Sequence, residues 1–237
     1  MYTLQGIVAK GITNTEIQFE KLGYASSNIA NLNTTGYKSV RFEQILNENG
    51  YLNGVVRTDH KAGVPYRTKR PLDIAIDGYG FIPVTTSSGE IAYTRDGMLR
   101  VGKDGYLFTN NGDLVGDGIQ LPVNAKKITI QPNGDVEAMM NAGEEGKLIG
   151  KIPIVTFNNP EGLKEIGGNK FAATADSGEP VLQKDQTSIK QGYIESSNVN
   201  MYDNLSDVLR LNSSMMASFK LLKIIDDMYT KSINLDQ

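Results

Sequence analysis

From Leu4 to about Ile29, apolar or small side chains recur at Leu4, Val8, Gly11, Thr15, Phe19, Leu22, Ser26 and Ile29. Steps of three and four put these positions on one narrow stripe of a helix. Gly6, Gly11 and Gly23 each lower helix propensity by about 1 kcal/mol relative to alanine, so this helix needs a partner surface. The closing stretch, Met201 to Ile233, carries a clearer stripe at Leu205, Val208, Met215, Phe219, Leu222, Tyr229 and Ile233. Asn212 and Asp226 interrupt that seam, as register-setting polar residues do in coiled coils. Asp203 or Asn204 is expected to cap its start, and no proline follows Pro180 to break the run.

The middle of the chain has another rhythm. Asp73–Ile76, Ile91–Arg95, Met98–Val101, Tyr106–Thr109 and Lys127–Ile130 are short and bounded by turn residues, as strands are. Lys103-Asp104-Gly105, Asn110-Asn111-Gly112-Asp113 and Pro132-Asn133-Gly134-Asp135 supply hairpin turns, because Asn, Asp and Gly tolerate positive φ. Lys147 to Phe157 reads as one bent strand or two, and the neighbourhood of Phe171–Thr174 as loop. These patterns predict an α+β chain whose β-rich central domain is flanked by N- and C-terminal coiled-coil-type helices. The expected divisions are 1–38 for the first helix and a turn, 39–70 for a linker, 71–197 for the β-rich domain and 198–237 for the closing helix. A long helix whose apolar stripe stays wet is marginal in water. The two ends therefore either pair with each other or order against neighbouring subunits, and the second behaviour is that of a protein that polymerises.

Composition removes several alternatives. The 237 residues carry 24 basic and 27 acidic side chains, a net charge of −3 with both signs interspersed. That balance provides no broad positive field, so no nucleic-acid partner is expected. Cysteine is absent, which removes disulfides, thiolate nucleophiles and most structural zinc sites. No stretch approaches the ~18 consecutive apolar residues of a membrane span, so direct membrane insertion is not expected. The opening MYTLQGIVAKGITNTE lacks the charged, apolar and small-residue tripartite pattern of a secretory signal.

Individual residues add little chemistry. Asp73 and Asp77 would share one strand face, which reads as a polar face opposite Ile74 and Ile76 rather than as a catalytic pair. Gly78-Tyr79-Gly80 lacks the third glycine and the helix of a dinucleotide fingerprint and reads as a strand-end turn. Asn111, Asp113 and Asp117 lack the alternating acids and final glutamate of a calcium loop. His60, the single histidine, lies in a polar stretch and reads as a solvated loop residue. Met139-Met140 and Met215-Met216 read as packing. No catalytic, cofactor or metal residue is assigned, and no cofactor is expected.

Ala30-Asn31-Leu32-Asn33-Thr34-Thr35-Gly36-Tyr37-Lys38 resembles the signature that follows the N-terminal helix in the flagellar rod and hook axial proteins. Physically it is a helix stop, with side-chain amides and hydroxyls competing for the backbone and Gly36 free to turn. Pro71-Leu72-Asp73-Ile74-Ala75-Ile76-Asp77-Gly78-Tyr79-Gly80-Phe81 is similar to the family's entry into its β domain. Tyr93, Arg95, Gly97, Gly105, Leu107 and Gly112 match the hairpin stretch that follows. Gln191-Gly192-Tyr193-Ile194-Glu195-Ser196-Ser197-Asn198-Val199-Asn200 is similar to the approach to the C-terminal helix. The matches run in family order along nearly the whole chain. The chain departs at Ser27, where the family often has Asn, and at Asn212-Ser213-Ser214-Met215, where it often has a Gln-Arg-aromatic cluster.

The resemblance implies a bacterial flagellum basal-body rod subunit of the proximal or distal type, exported by the flagellar type III apparatus without a cleavable signal peptide. Its partners would be copies of itself, other rod and hook proteins, the export apparatus and surrounding ring proteins. The expected packing positions are Leu4, Val8, Phe19, Leu22 and Ile29 against Leu205, Val208, Met215, Phe219, Leu222 and Tyr229, joining subunit to subunit. The signature residues are Ala30, Asn31, Thr34, Gly36, Tyr37 and Lys38. A hook or hook-junction subunit is the nearest alternative. A β-rich enzyme or carbohydrate-binding module, with the end helices merely paired, is the remote one.

Overall fold

The helix α1 spans Leu4–Ala30 and stops where Asn31 turns both its backbone N–H and its side-chain Nδ2 onto the carbonyl of Ser27. At the other end α2 spans Met201–Leu235. Its cap is Asn200, whose Oδ1 accepts from the backbone of Tyr202 at 3.0 Å and Asp203 at 3.4 Å. The cap thus lies upstream of Asp203 and Asn204, the positions expected from sequence. The computed structural model describes residues 4–46, 48, 52–141, 145–183 and 188–235. Between the helices the strands are β1 (Val40–Leu46), β2 (Leu52–Thr58), β3 (Pro65–Arg67), β4 (Ile74–Asp77), β5 (Ile82–Thr85) and β6 (Ile91–Thr94). There follow β7 (Leu99–Val101), β8 (Leu107–Thr109), β9 (Leu114–Val115), β10 (Lys127–Ile130), β11 (Asp135–Met139) and β12 (Lys147–Lys151). The last are β13 (Val155–Thr156), β14 (Lys164–Gly167), β15 (Lys170–Ala172), β16 (Val181–Leu182), β17 (Ser188–Gln191) and β18 (Tyr193–Glu195). Helices at both ends of a β-rich middle are the α+β arrangement the patterning predicts.

The chain divides into two compact units. The helical unit takes α1, β1, β2 and α2; the β-rich unit takes Leu32–Ser39 and Asp59–Asn198. In the helical unit β1 and β2 form an antiparallel hairpin, within the segment 39–70 read as a linker. Val40 and Phe42 are buried while Arg41 and Glu43 face water, the period-two alternation of a half-buried strand. Phe42 stacks on Tyr24 at 5.6 Å, and its ring occupies the space a Cβ at Gly54 would need. Asn28 pairs with Val40 as a strand would, accepting its N–H at 2.9 Å and donating to its carbonyl at 2.8 Å.

In the β-rich unit a seven-stranded sheet runs in the order β14-β15-β6-β5-β9-β8-β7, beside a three-stranded meander β10-β11-β12. Shorter antiparallel pairs join β13 to β16, β17 to β4 and β18 to β3. An aliphatic core gathers Ile74, Ile82, Leu99, Leu107, Val115, Val136 and Ile152, and an aromatic cluster holds Phe81, Tyr93, Phe157 and Phe171. The strand pattern corrects the sequence reading in places and completes it in another. Phe171 belongs to strand β15, not to a loop; its glycine-rich surroundings are the β14–β15 hairpin, where Gly167, Gly168 and Asn169 all take positive φ. Asp73 does not share a polar face with Asp77: Asp73 is fully buried and Asp77 exposed, and Ile74, Ala75 and Ile76 are all buried. Of the two alternatives for the stretch 147–157, the chain takes two strands, β12 and β13, parted at Ile152–Ile154.

Candidate functional site: the helix pair and a buried ion cluster

Polar and small side chains set how α1 meets α2. Asn28 Nδ2 donates to Asn204 Oδ1 at 3.0 Å, and Gln18 Nε2 to Ser214 Oγ at 3.1 Å. A Cβ on Gly11 would lie 3.1 Å from Leu222 Cδ2. Advancing along α1 therefore means retreating along α2: the pair is antiparallel and within one chain. On α2 the covered positions include Asn204, Val208, Leu211, Met215, Ser218, Leu222 and Ile225, in steps of four and three, with Asp207 half-buried beside Val208. On α1 they include Thr15, Ile17, Gln18, Ala25 and Asn28.

The predicted packing residues divide accordingly. Val8, Leu22, Ile29, Val208 and Leu222 are half-buried and Met215 is buried, whereas Leu205, Phe19 and Phe219 are exposed at 39%, 50% and 49%. The side chains of Leu4, Tyr229 and Ile233 lie outside the described residues. Relative to the sequence stripe, Gly11, Thr15, Leu22, Val208, Met215 and Leu222 keep their places, while positions between them turn by one: Gln18 replaces Phe19, Ala25 replaces Ser26, Leu211 replaces Asn212, and Ser218 replaces Phe219. Amide and hydroxyl pairs allow close approach along the seam and send the bulky rings to its margin, where Phe19 and Phe219 meet at 6.3 Å. A second stripe on α2 consequently faces water, with Leu205, Leu209, Met216 and Phe219 in steps of four, seven and three. Leu221, Ile224 and Met228 extend the exposed apolar surface on the opposite flank.

The signature that ends α1 leads into the β-rich unit. Gly36 sits at φ 67°, its N–H on the carbonyl of Glu195 at 2.8 Å, so close to Arg95 that a Cβ would fall 2.6 Å from the Arg95 carbonyl carbon. Lys38 is wholly buried and donates to Glu195 Oε1 at 2.5 Å and to the Lys61 carbonyl at 2.6 Å. Arg95 donates through Nε to Glu195 Oε2 at 2.7 Å. Its Nη1 binds the Gly80 carbonyl at 2.6 Å, and its Nη2 the carbonyls of Ile76 and Gly78 at 3.2 and 3.1 Å. One carboxylate thus serves two buried cations, and Arg95 closes the Gly78-Tyr79-Gly80 turn from inside. Burial pulls the Lys38 ammonium down to about 8 against the opposing pull of Glu195, which leaves it charged at neutral pH. Of the other signature residues, Tyr37 is buried with its carbonyl on the Asn198 N–H, Thr34 accepts from the Tyr37 N–H, and Ala30 is exposed at the helix end. The cluster unites three matched segments that stand far apart in the sequence; the signal available there is a charged residue inside each of them.

His60 is not solvated, contrary to expectation. It packs edge-on against Phe81 and Phe171 at 5.6 and 5.2 Å, and both ring nitrogens are buried without a hydrogen-bond partner. Desolvation depresses its pKa to about 4, with the nearby Lys38 cation adding to the effect. Burial pushes Asp96 up to about 6, against a hydrogen bond from the Met98 N–H. Asp113 accepts from Lys170 Nζ at 2.8 Å, so its turn is fastened by an ion pair. Among the described residues no helix is long and apolar enough to cross a membrane.

Residues 75–138 match the family model described as Flagellar hook protein FlgE/F/G D1 domain, and residues 22–38 the one described as Flagella basal body rod protein. The chain is 31% identical to the flagellar basal-body rod protein FlgG of Agrobacterium fabrum, over 93% of this chain and 95% of that protein. It is 30% identical to FlgG of Caulobacter vibrioides, over 93% and 94%. Identity to the flagellar basal-body rod protein FlgF of Escherichia coli is 30%, over 68% and 66%.

Proposed function

Because the chain belongs to the flagellar basal-body rod proteins, we propose that it is a structural subunit of the bacterial flagellar rod, assembling through the outward apolar faces of its terminal helices. The observation that carries the packing scheme is the second stripe of α2. With the seam to α1 filled, Leu209 and Met216 still stand 67% and 62% exposed beside Leu205 and Phe219. A row of large apolar side chains on a long helix is costly in water and favours burial against another helix. Roughly 1.5–3 kcal/mol per fully covered side chain is available for subunit contact.

The partners are copies of this chain and other rod and hook components. The subunit reaches the basal body through the flagellar export apparatus, and ring proteins surround the finished rod. The near end-to-end alignment with FlgG relatives, against 68% coverage with the FlgF relative, supports the distal FlgG type. The role is mechanical: closely packed helix faces resist twisting and carry torque from motor to hook. Met216→Asp and Leu209→Asp place a charge in the stripe without touching the inner seam. Both variants are expected to be absent from purified basal bodies while circular dichroism of the isolated chain stays unchanged. Normal incorporation of both would remove α2's outer stripe from the assembly.

A further inference from the structure

A groove on the β-rich unit collects five cations: Arg67 of β3, Lys69 and Arg70 beyond it, and Lys126 and Lys127 at the start of β10. All five are exposed, and among the described residues no acidic side chain lines the groove. Arg70 lies 3.5 Å from Asp73, while Arg67, Lys69, Lys126 and Lys127 take part in no ion pair among the described residues. On a chain whose net charge is −3, this is a local excess of one sign. Like charges crowded into a concavity repel one another unless an anionic partner neutralises them.

The groove is built, not incidental. Gln191 ties its walls: Nε2 donates to the Pro71 carbonyl at 2.6 Å and to the Ile128 carbonyl at 3.0 Å, and Oε1 accepts from Ile130 N–H at 3.2 Å. These bonds occupy the free edge of β10, so an incoming strand finds no ladder there and recognition falls to side chains. Lys69 holds φ 62°, a conformation non-glycine residues seldom adopt, with its N–H on the Gly192 carbonyl at 3.2 Å. Leu72, Ile128 and Tyr193 are half-buried and give the groove an apolar floor. Its volume of about 680 Å³ suits a short extended segment.

We propose that this groove binds an acidic, extended peptide segment of a partner protein. Its carboxylates would pair with the guanidinium and ammonium groups, and its intervening apolar side chains would rest on Leu72, Ile128 and Tyr193. Bare polyphosphate has nothing for the apolar floor, and a flat bilayer does not reach into a concave site.

The test uses the full-length chain and a fluorescein-labelled, capped hexapeptide of alternating glutamate and leucine, with inorganic polyphosphate and phosphatidylglycerol vesicles as rival probes. The expected result is saturable peptide binding that weakens as salt is raised. K126E/K127E and R67E should each weaken it by at least about tenfold, while K103E/K147E, outside the groove, should change it less than about twofold. K126Q/K127Q replaces the reversal if that chain fails to fold by circular dichroism. Q191A should weaken binding with no change in charge. Absence of peptide binding, equal loss in K103E/K147E, or tighter groove-dependent binding of polyphosphate or vesicles would each overturn the proposal.

Discussion

Glu195 answers two cations, and its removal would leave Lys38 and Arg95 facing each other without an anion. Breaking a buried ion pair from one side typically costs roughly 3–5 kcal/mol, much of it from the stranded charge. Glu195→Gln should therefore lower the stability of the β-rich unit by about 3 kcal/mol or more, and adding Lys38→Met should recover part of that loss; urea unfolding of the single and double variants measures both. Two other buried groups give stability opposite slopes with pH. His60 titrates near 4 when folded against 6.5 unfolded, so the unfolded chain takes up a proton that the folded one refuses. Stability is lost as pH falls from 6.5 toward 4. Asp96 titrates near 6 against 3.8 unfolded, so its contribution is complete below 3.8 and is lost as pH rises through 6. His60→Phe, filling the same aromatic niche, should flatten the acid-side loss, and Asp96→Asn should flatten the opposing slope; urea midpoints from pH 4 to 7 resolve the two. The ion cluster is illegible in the sequence because its partners lie 157 and 100 residues apart. No local pattern says that Lys38, Arg95 and Glu195 meet, although each sits inside a segment matched to the rod and hook proteins.

Helices and hairpins are far more legible, since their signals are local. Helix stops and Asn-Gly or Asp-Gly turns announce element ends, and the bracketed apolar runs form β4, β6, β7, β8 and β10, whereas β1, β2 and β3 arise in the segment that reads as a linker. Apolar size misleads at part of the inner helix face: Val208, Met215 and Leu222 lie where expected, but Gln18 and Ser218 stand in the seam in place of Phe19 and Phe219, whose rings meet at its margin. Phe171 is hidden by the glycines of its own hairpin. The glycines of α1 differ in what they permit. Beyond its own helix backbone and chain neighbours, nothing comes within 4 Å of the point a methyl group on Gly23 would occupy, whereas Gly11 abuts Leu222. Gly23→Ala should raise the thermal midpoint, with a gain of about 0.5–1 kcal/mol, and Gly11→Leu should lower it by forcing the helices apart. Thermal denaturation followed by helical circular dichroism ranks the two variants.

The division into two units makes a prediction about where the chain tolerates cutting. The β-rich unit keeps Leu32–Ser39 and ends at Asn198. A fragment of residues 32–199 retains Gly36 and Lys38, and is expected to unfold cooperatively under urea. A fragment of residues 39–199 strands Glu195 with half its cationic partners, and should unfold at lower urea or expose hydrophobic surface to dye. In the helical unit, the amide pair Asn28–Asn204 has a wider effect than its single hydrogen bond. Sliding α2 by one heptad would break that bond and the Gln18–Ser214 bond together and carry Leu222 away from Gly11, so these three contacts select one alignment of the two helices. Each molecule therefore displays Leu205, Leu209, Met216 and Phe219 at one fixed height above its partner helix. A rod assembled by repeating one kind of contact depends on that uniformity, because slippage inside one building block would pass a misfit on to each copy added against it.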